Sequence, residues 1–449
     1  MKFTHMTESE RARFSLRMGN LVLYGTFGLL MLGPLAFGAV EPWSIFAMEM
    51  GAVLLMVVWA ARQWINEEIS LQWNPLFLPM SAFGILILVQ IFFRRSAYMH
   101  DTVSEAMLYV AYAILCFLAS QALTRSSQAR TLGVILGIYG SLLAVLSLLQ
   151  GIAPNGKLYW IRQPRLGGWI YGPYVNHNHY AGLMELLIPI PLVISATSLA
   201  DENERRAAAV AAAIMTGTVF LSGSRGGMIA VLAELIVLAV LTLRHKKGRR
   251  VVAGIGVFVI VLVSLLIWLG GKELASRVST ISTETRGEIS GGMRLNIDRD
   301  TLVMFRQKPL LGWGLGTFPT VYPQFRSFYT NFFVNETHND YLQLLSETGL
   351  AGFTIMLWFL VSFYRAALRK TANWMSSVTG AVSLACVLGC SGILVHSFLD
   401  FNLQIPANAA LFYVLCTIGA CPPLLHRSRK RKPVSTTSDE EVVPTSEVV

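Results

Sequence analysis

The stretch Arg225-Gly226-Gly227-Met228-Ile229-Ala230-Val231-Leu232-Ala233-Glu234-Leu235-Ile236-Val237-Leu238-Ala239-Val240-Leu241-Thr242-Leu243 runs directly into Arg244-His245-Lys246-Lys247-Gly248-Arg249-Arg250. An apolar run of this length matches the hydrocarbon thickness of a bilayer crossed by a helix. Lipid offers the backbone no hydrogen-bond partners, so the run must satisfy its own N–H and C=O groups as an α-helix. The basic cluster at its end is a topology signal and assigns that end to the cytoplasm.

Similar runs recur along the chain. Roughly twelve are long enough to count as spans, at about 20–39, 43–61, 75–93, 105–123, 131–150, 179–199, 207–222, 226–243, 251–270, 349–367, 378–397 and 405–425. Composition agrees: 54% of residues are hydrophobic and 14% charged, where a soluble chain carries about a quarter charged. The expected fold is an all-α integral membrane protein of about twelve transmembrane helices. The net charge of +10 lies in short stretches between the apolar runs, which argues against a nucleic-acid partner. Cys116, Cys386, Cys390, Cys416 and Cys421 fall in or beside apolar runs, so neither a disulfide framework nor a zinc site is expected. The first apolar run is long enough to span and reads as a helix, not a cleaved signal peptide.

With the N-terminus inside, most of the 36 Lys and Arg residues fall in cytoplasmic loops or tails. Arg94 and Arg95 run against that rule. The organisation is then a cytoplasmic tail 1–19, a membrane domain 20–425 and a basic, then disordered, cytoplasmic tail 426–449. Two long loops face outward, 151–178 and the large 271–337 loop. The latter should hold an amphipathic helix near 293–307, ended by Pro309 and followed by Gly312-Trp313-Gly314-Leu315-Gly316.

Charge-derived topology puts the reactive residues on one side. Arg225 stands in Ser222-Gly223-Ser224-Arg225-Gly226-Gly227, His338 in Thr337-His338-Asn339-Asp340, and Asn176 to His179 lead into the sixth run. Asp400, Asn402 and Gln404 fill the last outward loop. The sixth, eighth and tenth runs begin on this side, and helix N-termini favour anions. Arg225 adds a permanently charged fork suited to phosphate, although a snorkelling arginine at a helix end is the competing reading. Arg294, Arg299 and Arg306 share a loop helix, with Arg294 the first candidate.

His338 is the candidate base for taking a proton from an acceptor hydroxyl. Against it, a helix through this segment gives Asn339, Gln343 and Glu347 a polar stripe and leaves His338 nearer the apolar side. Asn178 is the better helix cap of the pair Asn178 and His179. Asp298-Arg299-Asp300 is a weak metal signal, because residues two apart on a helix diverge. No metal or cofactor is required if arginines and helix termini neutralise a leaving phosphate. Glu49, Glu185 and Glu234 are intramembrane acids, and Glu185 and Glu234 carry a transport alternative. The aromatics from Phe318 to Phe333 suit an interfacial belt more than sugar stacking.

His338-Asn339, nine residues and then Gly349-Leu350-Ala351-Gly352 resembles the histidine motif of the bacterial O-antigen ligase family, which is grouped with O-antigen polymerases. Ser224-Arg225-Gly226-Gly227 is similar to that family's arginine motif, and Gly172 to His179 to its Asn-rich outer segment. The stretch from Arg294 to Phe318 is similar to the segment inside its large periplasmic loop. The resemblance covers roughly residues 160 to 410, in order.

It implies a GT-C-type glycosyltransferase of the bacterial inner membrane. Such an enzyme uses an undecaprenyl-diphosphate glycan as donor, with lipid A core or another glycan as acceptor, among membrane lipids. By the same resemblance His338 is the catalytic base, and Arg225 and Arg294 bind diphosphate. Asn178, Asn339, Asp340, Gly349, Gly352 and Asp400 form the supporting set.

Overall fold

Two short helices near the centre are buried along their whole length. They are His177–Leu187 and Pro406–Ala420, and a helix apolar all round belongs in a core. The polar start of the first, His177-Asn178-His179, is the exception and marks where the interior turns hydrophilic. In this computed structural model the described residues are 7–164, 168–243, 253–254, 256–257, 260, 264, 291–330 and 333–425.

The described helices are α1 (Glu8–Leu35), α2 (Pro42–Asn66), α3 (Phe77–Phe92), α4 (Met99–Ala122), α5 (Ser126–Ile152), α6 (His177–Leu187), α7 (Pro189–Ala196), α8 (Glu202–Ser222), α9 (Arg225–Leu243), α10 (Gly291–Gln307), α11 (Asp340–Leu368), α12 (Val378–His396) and α13 (Pro406–Ala420). Single helical turns complete the set. No β-sheet occurs among the described residues, only isolated bridges. α12 packs against α6, α7, α9 and α13, so the buried helices meet around it. α1, α2 and α4 cover one flank, α5 and α8 another, and α3 with α11 a third.

Among the described residues, eight helical segments are long and apolar enough to cross a membrane: α1, α2, α4, α5, α6 with α7, α9, α11 with its extension to Asn373, and α12. This is fewer than the roughly twelve spans read from hydropathy. α3 has 16 residues and α13 only 15, and 15 residues of helix reach about 22 Å. α8 opens on Glu202, Glu204, Arg205 and Arg206 and is alanine-rich. The proposed span 251–270 lies largely outside the described residues, as do the 244–250 cluster, loop residues 271–290 and the tail 426–449.

The amphipathic loop helix is present as α10, two residues longer at its start than expected. It buries Ile297 and Met304 against Phe318, Val321, Tyr322 and Val334, a second small apolar core. Phe318 and Tyr322 therefore serve packing, not a membrane belt or sugar stacking, whereas Tyr329 and Phe333 are exposed.

The loop after α10 is stitched to α11. Trp313 N donates to Ser346 O (3.0 Å), Gly314 N to Glu347 O (2.9 Å) and Leu350 N to Pro309 O (2.8 Å). The Glu347 carboxylate accepts from Gly316 N and Phe318 N, at 2.9 and 3.1 Å. α11 opens at Gly349, whose backbone is left-handed (φ 64°, ψ −166°). A Cβ there would stand 2.3 Å from Leu310 O, so only glycine lets the two backbones touch.

Candidate active site

Asp400 is the hub, buried and flanked by side chains from three separate parts of the chain. His338 Nδ1 lies 3.1 Å from Asp400 Oδ1, and Asn178 Nδ2 donates to Asp400 Oδ2 at 2.6 Å. Arg294 Nη1 stands 3.7 Å from Asp400 Oδ2 and donates to the neighbouring Leu399 O at 2.8 Å. Phe401 N closes the carboxylate from below, donating to Oδ1 at 2.9 Å.

Burial pushes the Asp400 carboxyl up, but Arg294 and His338 outweigh it and hold the group well below the usual carboxylate range. An ionised carboxylate can only accept, so His338 Nδ1 carries a proton toward Asp400 and Nε2 is the ring nitrogen that this contact leaves free. The His338 side chain is about 10% exposed against 1% for Asp400. The imidazole thus has one nitrogen fixed in the protein and the ring edge reachable from outside.

His338 precedes α11, which begins at Asp340, and its backbone is left-handed at φ 56°. The helical-stripe argument against it therefore lapses: the residue is not on the helix. Its neighbours hold the kink. Thr337 Oγ1 donates to Asn339 O (2.6 Å) and Asn339 N to Thr337 Oγ1 (3.1 Å). Asn339 caps α11, accepting from Tyr341 N and Leu342 N. Asp340 accepts from Ser397 Oγ (2.7 Å), Leu403 N (3.1 Å) and Gln404 Nε2 (3.2 Å), tying the helix start to the loop that carries Asp400.

Asn178 does not cap α6. Asn176 takes that position, accepting from Asn178 N at 2.8 Å, and frees the Asn178 amide for Asp400. His179 reaches Asn402 Oδ1 at 3.4 Å and packs edge-on against Phe401, whose ring His338 also touches, with centroids 4.7 and 4.8 Å apart.

Arg225 is the first residue of α9 and is exposed. It joins neither Asp400 nor His338 directly. The next residue, Gly226, abuts His396, since a Cβ there would lie 2.4 Å from the ring Nε2. His396 O accepts from Asp400 N at 3.1 Å, so α9 starts beside the turn that carries the hub. Gly349 and Gly352 are also away from His338. Gly352 sits where a Cβ would strike the Thr348 hydroxyl, and both glycines shape the α11 crossing.

The two acids of Asp298-Arg299-Asp300 part company. Asp300 Oδ2 accepts from Tyr322 Oη (3.2 Å) and Ser327 N (2.9 Å) and pins the loop. Asp298 is influenced by His338 and Arg294 instead. Burial pushes it up to about 6, against the lowering effect of those two side chains.

Residues 210–357 match the O-Antigen ligase family model. The matched segment is about a third of the chain and is similar to this family. No curated protein matches the chain. The matched segment contains Arg225, Arg294, His338, Gly349 and Gly352; Asn178 and Asp400 lie outside it and are joined to it by the contacts above. The similarity supports an enzymatic, glycosyltransferase-type activity.

Sequence reasoning missed His396. Its Nδ1 lies 2.7 Å from Glu185 Oε1, with both side chains buried. The rule that flags an acid within a span flags a histidine there too, and would have found it.

Proposed function

We propose that this chain is a member of the O-antigen ligase family and moves a glycan from an undecaprenyl-diphosphate donor to a lipid or sugar acceptor at the periplasmic face of the inner membrane. The observation that carries the reading is the His338–Asp400–Arg294 arrangement: a partly exposed imidazole with one nitrogen fixed on an ionised carboxylate, beside an arginine. In the step proposed, His338 Nε2 takes the proton of the acceptor hydroxyl as its oxygen attacks the anomeric carbon. The bond from that carbon to the diphosphate oxygen breaks, and its electron pair leaves with the lipid diphosphate. Attack opposite the leaving group inverts the configuration.

Arg294 and Arg225 are proposed to offset the leaving charge. The Arg294 Nε is buried with no partner, a donor left over for a ligand. In this reading no metal takes part, the active site is periplasmic, both termini are cytoplasmic and the 271–337 segment forms the periplasmic loop. Basic residues between the apolar runs support that orientation. Attachment to lipid A core and extension of a growing glycan use the same chemistry and differ only in the acceptor.

A transport reading has one observation in its favour: both Glu234 carboxylate oxygens are buried without partners. The test is purified protein in vesicles with a series of polyprenyl-diphosphate oligosaccharides. Release of lipid diphosphate that depends on an added acceptor is the expected result, and the acceptor that works separates ligase from polymerase. Solute flux without release from any donor would instead support transport.

A further inference from the structure

Arg94, Arg95 and Lys308 stand at two helix ends that the structure ties together. Arg94 and Arg95 follow the C-terminus of α3, and Lys308 follows that of α10. The two segments are joined: Ala97 N donates to Trp313 O at 2.7 Å. Ser96 lies against Gly314, where a Cβ would stand 2.6 Å from the serine hydroxyl. Lys308 Nζ sits 4.0 Å from the centre of the Trp313 ring. Burial lowers the Lys308 ammonium, and the charge of nearby Arg95 lowers it further.

Like charges are thus held close. Among the described residues, none of the three cations forms an ion pair with an acidic side chain. Helix C-termini attract cations, which accounts for one at each helix end but not for the convergence of the two ends. Large apolar side chains flank the charges: Phe92, Phe93 and Leu310 are 81%, 62% and 70% exposed. Arg94 and Arg95 also run against the charge rule in a short loop, where that rule is strongest.

We propose that this face docks an anionic lipid, its headgroup phosphate among Arg94, Arg95 and Lys308 and its chains along Phe92, Phe93 and Leu310. Arginine forks match phosphate oxygens. The adjoining apolar side chains select a lipid over a free phosphate, since a soluble anion gains nothing from them. The proposal uses none of the residues around His338 and stands whether or not the transfer reading holds.

The test is lipid retention by the purified full-length protein in mild detergent, measured by native mass spectrometry with phosphatidylglycerol and phosphatidylcholine supplied equally. The wild type should retain phosphatidylglycerol preferentially. The preference should fall about fivefold for each cation removed and vanish in the combined Arg94→Gln, Arg95→Gln, Lys308→Gln variant. Arg130→Gln, which removes an exposed cation elsewhere, should keep it. Equal retention of both lipids by the wild type, an unchanged preference in the triple variant, or an equal loss in Arg130→Gln would overturn the proposal. Sodium pyrophosphate at matched ionic strength should not displace the lipid; displacement would reveal a soluble-anion site and overturn it as well.

Discussion

Asp400 Oδ1 and His338 Nδ1 meet at 3.1 Å across 62 residues of sequence. The carboxylate is buried and held ionised, so it fixes the imidazole tautomer and would stabilise the imidazolium formed on proton uptake. Asp400→Asn keeps the shape but removes that charge. Acceptor-dependent lipid diphosphate release should fall on the order of a hundredfold or more, with KM for the donor little changed. Steady-state kinetics on the purified variant check this.

Arg294 engages Leu399 O through one Nη and leaves Nε buried without a partner. Arg294→Lys retains the charge and loses the fork. The expected result is a drop of about tenfold or more in kcat/KM, expressed in donor binding measured by competition with a non-reactive polyprenyl diphosphate.

Asp298 and Asp400 respond to pH with opposite signs. Asp400 lies below its ordinary value, so its contribution to stability is present at neutral pH and is lost as pH falls. Asp298, pushed up to about 6, holds its proton more tightly in the folded state. Its contribution is complete below the ordinary value of 3.8 and disappears as pH rises through about 6. Asp298→Asn should therefore remove an inflection near pH 6 from the thermal-stability profile, as read by unfolding scans across pH.

Gly349 acts through the backbone. Gly349→Ala must adopt a left-handed conformation and place a Cβ 2.3 Å from Leu310 O. The conformation alone costs about 1–3 kcal/mol, and the clash adds to it. Thermal unfolding should drop clearly, whereas His338→Ala should leave it nearly unchanged.

Much of this site could be read before the fold. Asn178, His338 and Asp400 stand at the ends of different apolar runs, and the expected alternation of the runs places those ends on one side; Arg225, expected with them, joins neither Asp400 nor His338 directly. Their contacts could not be read, because they depend on where α6, α11 and the 397–404 turn cross. Of the two readings open for Asn178, the cap is taken by Asn176, two residues earlier, which accepts from the Asn178 N–H, and the supporting role is left for the Asn178 amide. The helical stripe misjudged His338 because the helix starts two residues later, at Asp340. Hydropathy registers apolarity better than helix length, so it counted α3 and α13, which are apolar but short, beside the eight longer segments found among the described residues.

The central claim is that His338 activates the acceptor. The most direct measurement is acceptor-dependent release of polyprenyl diphosphate by wild type and His338→Ala, purified and reconstituted side by side, with thermal unfolding as the control for folding. The account predicts a folded variant whose release rate is lower by about 10²- to 10⁴-fold. A folded variant that releases lipid diphosphate at the wild-type rate would contradict it.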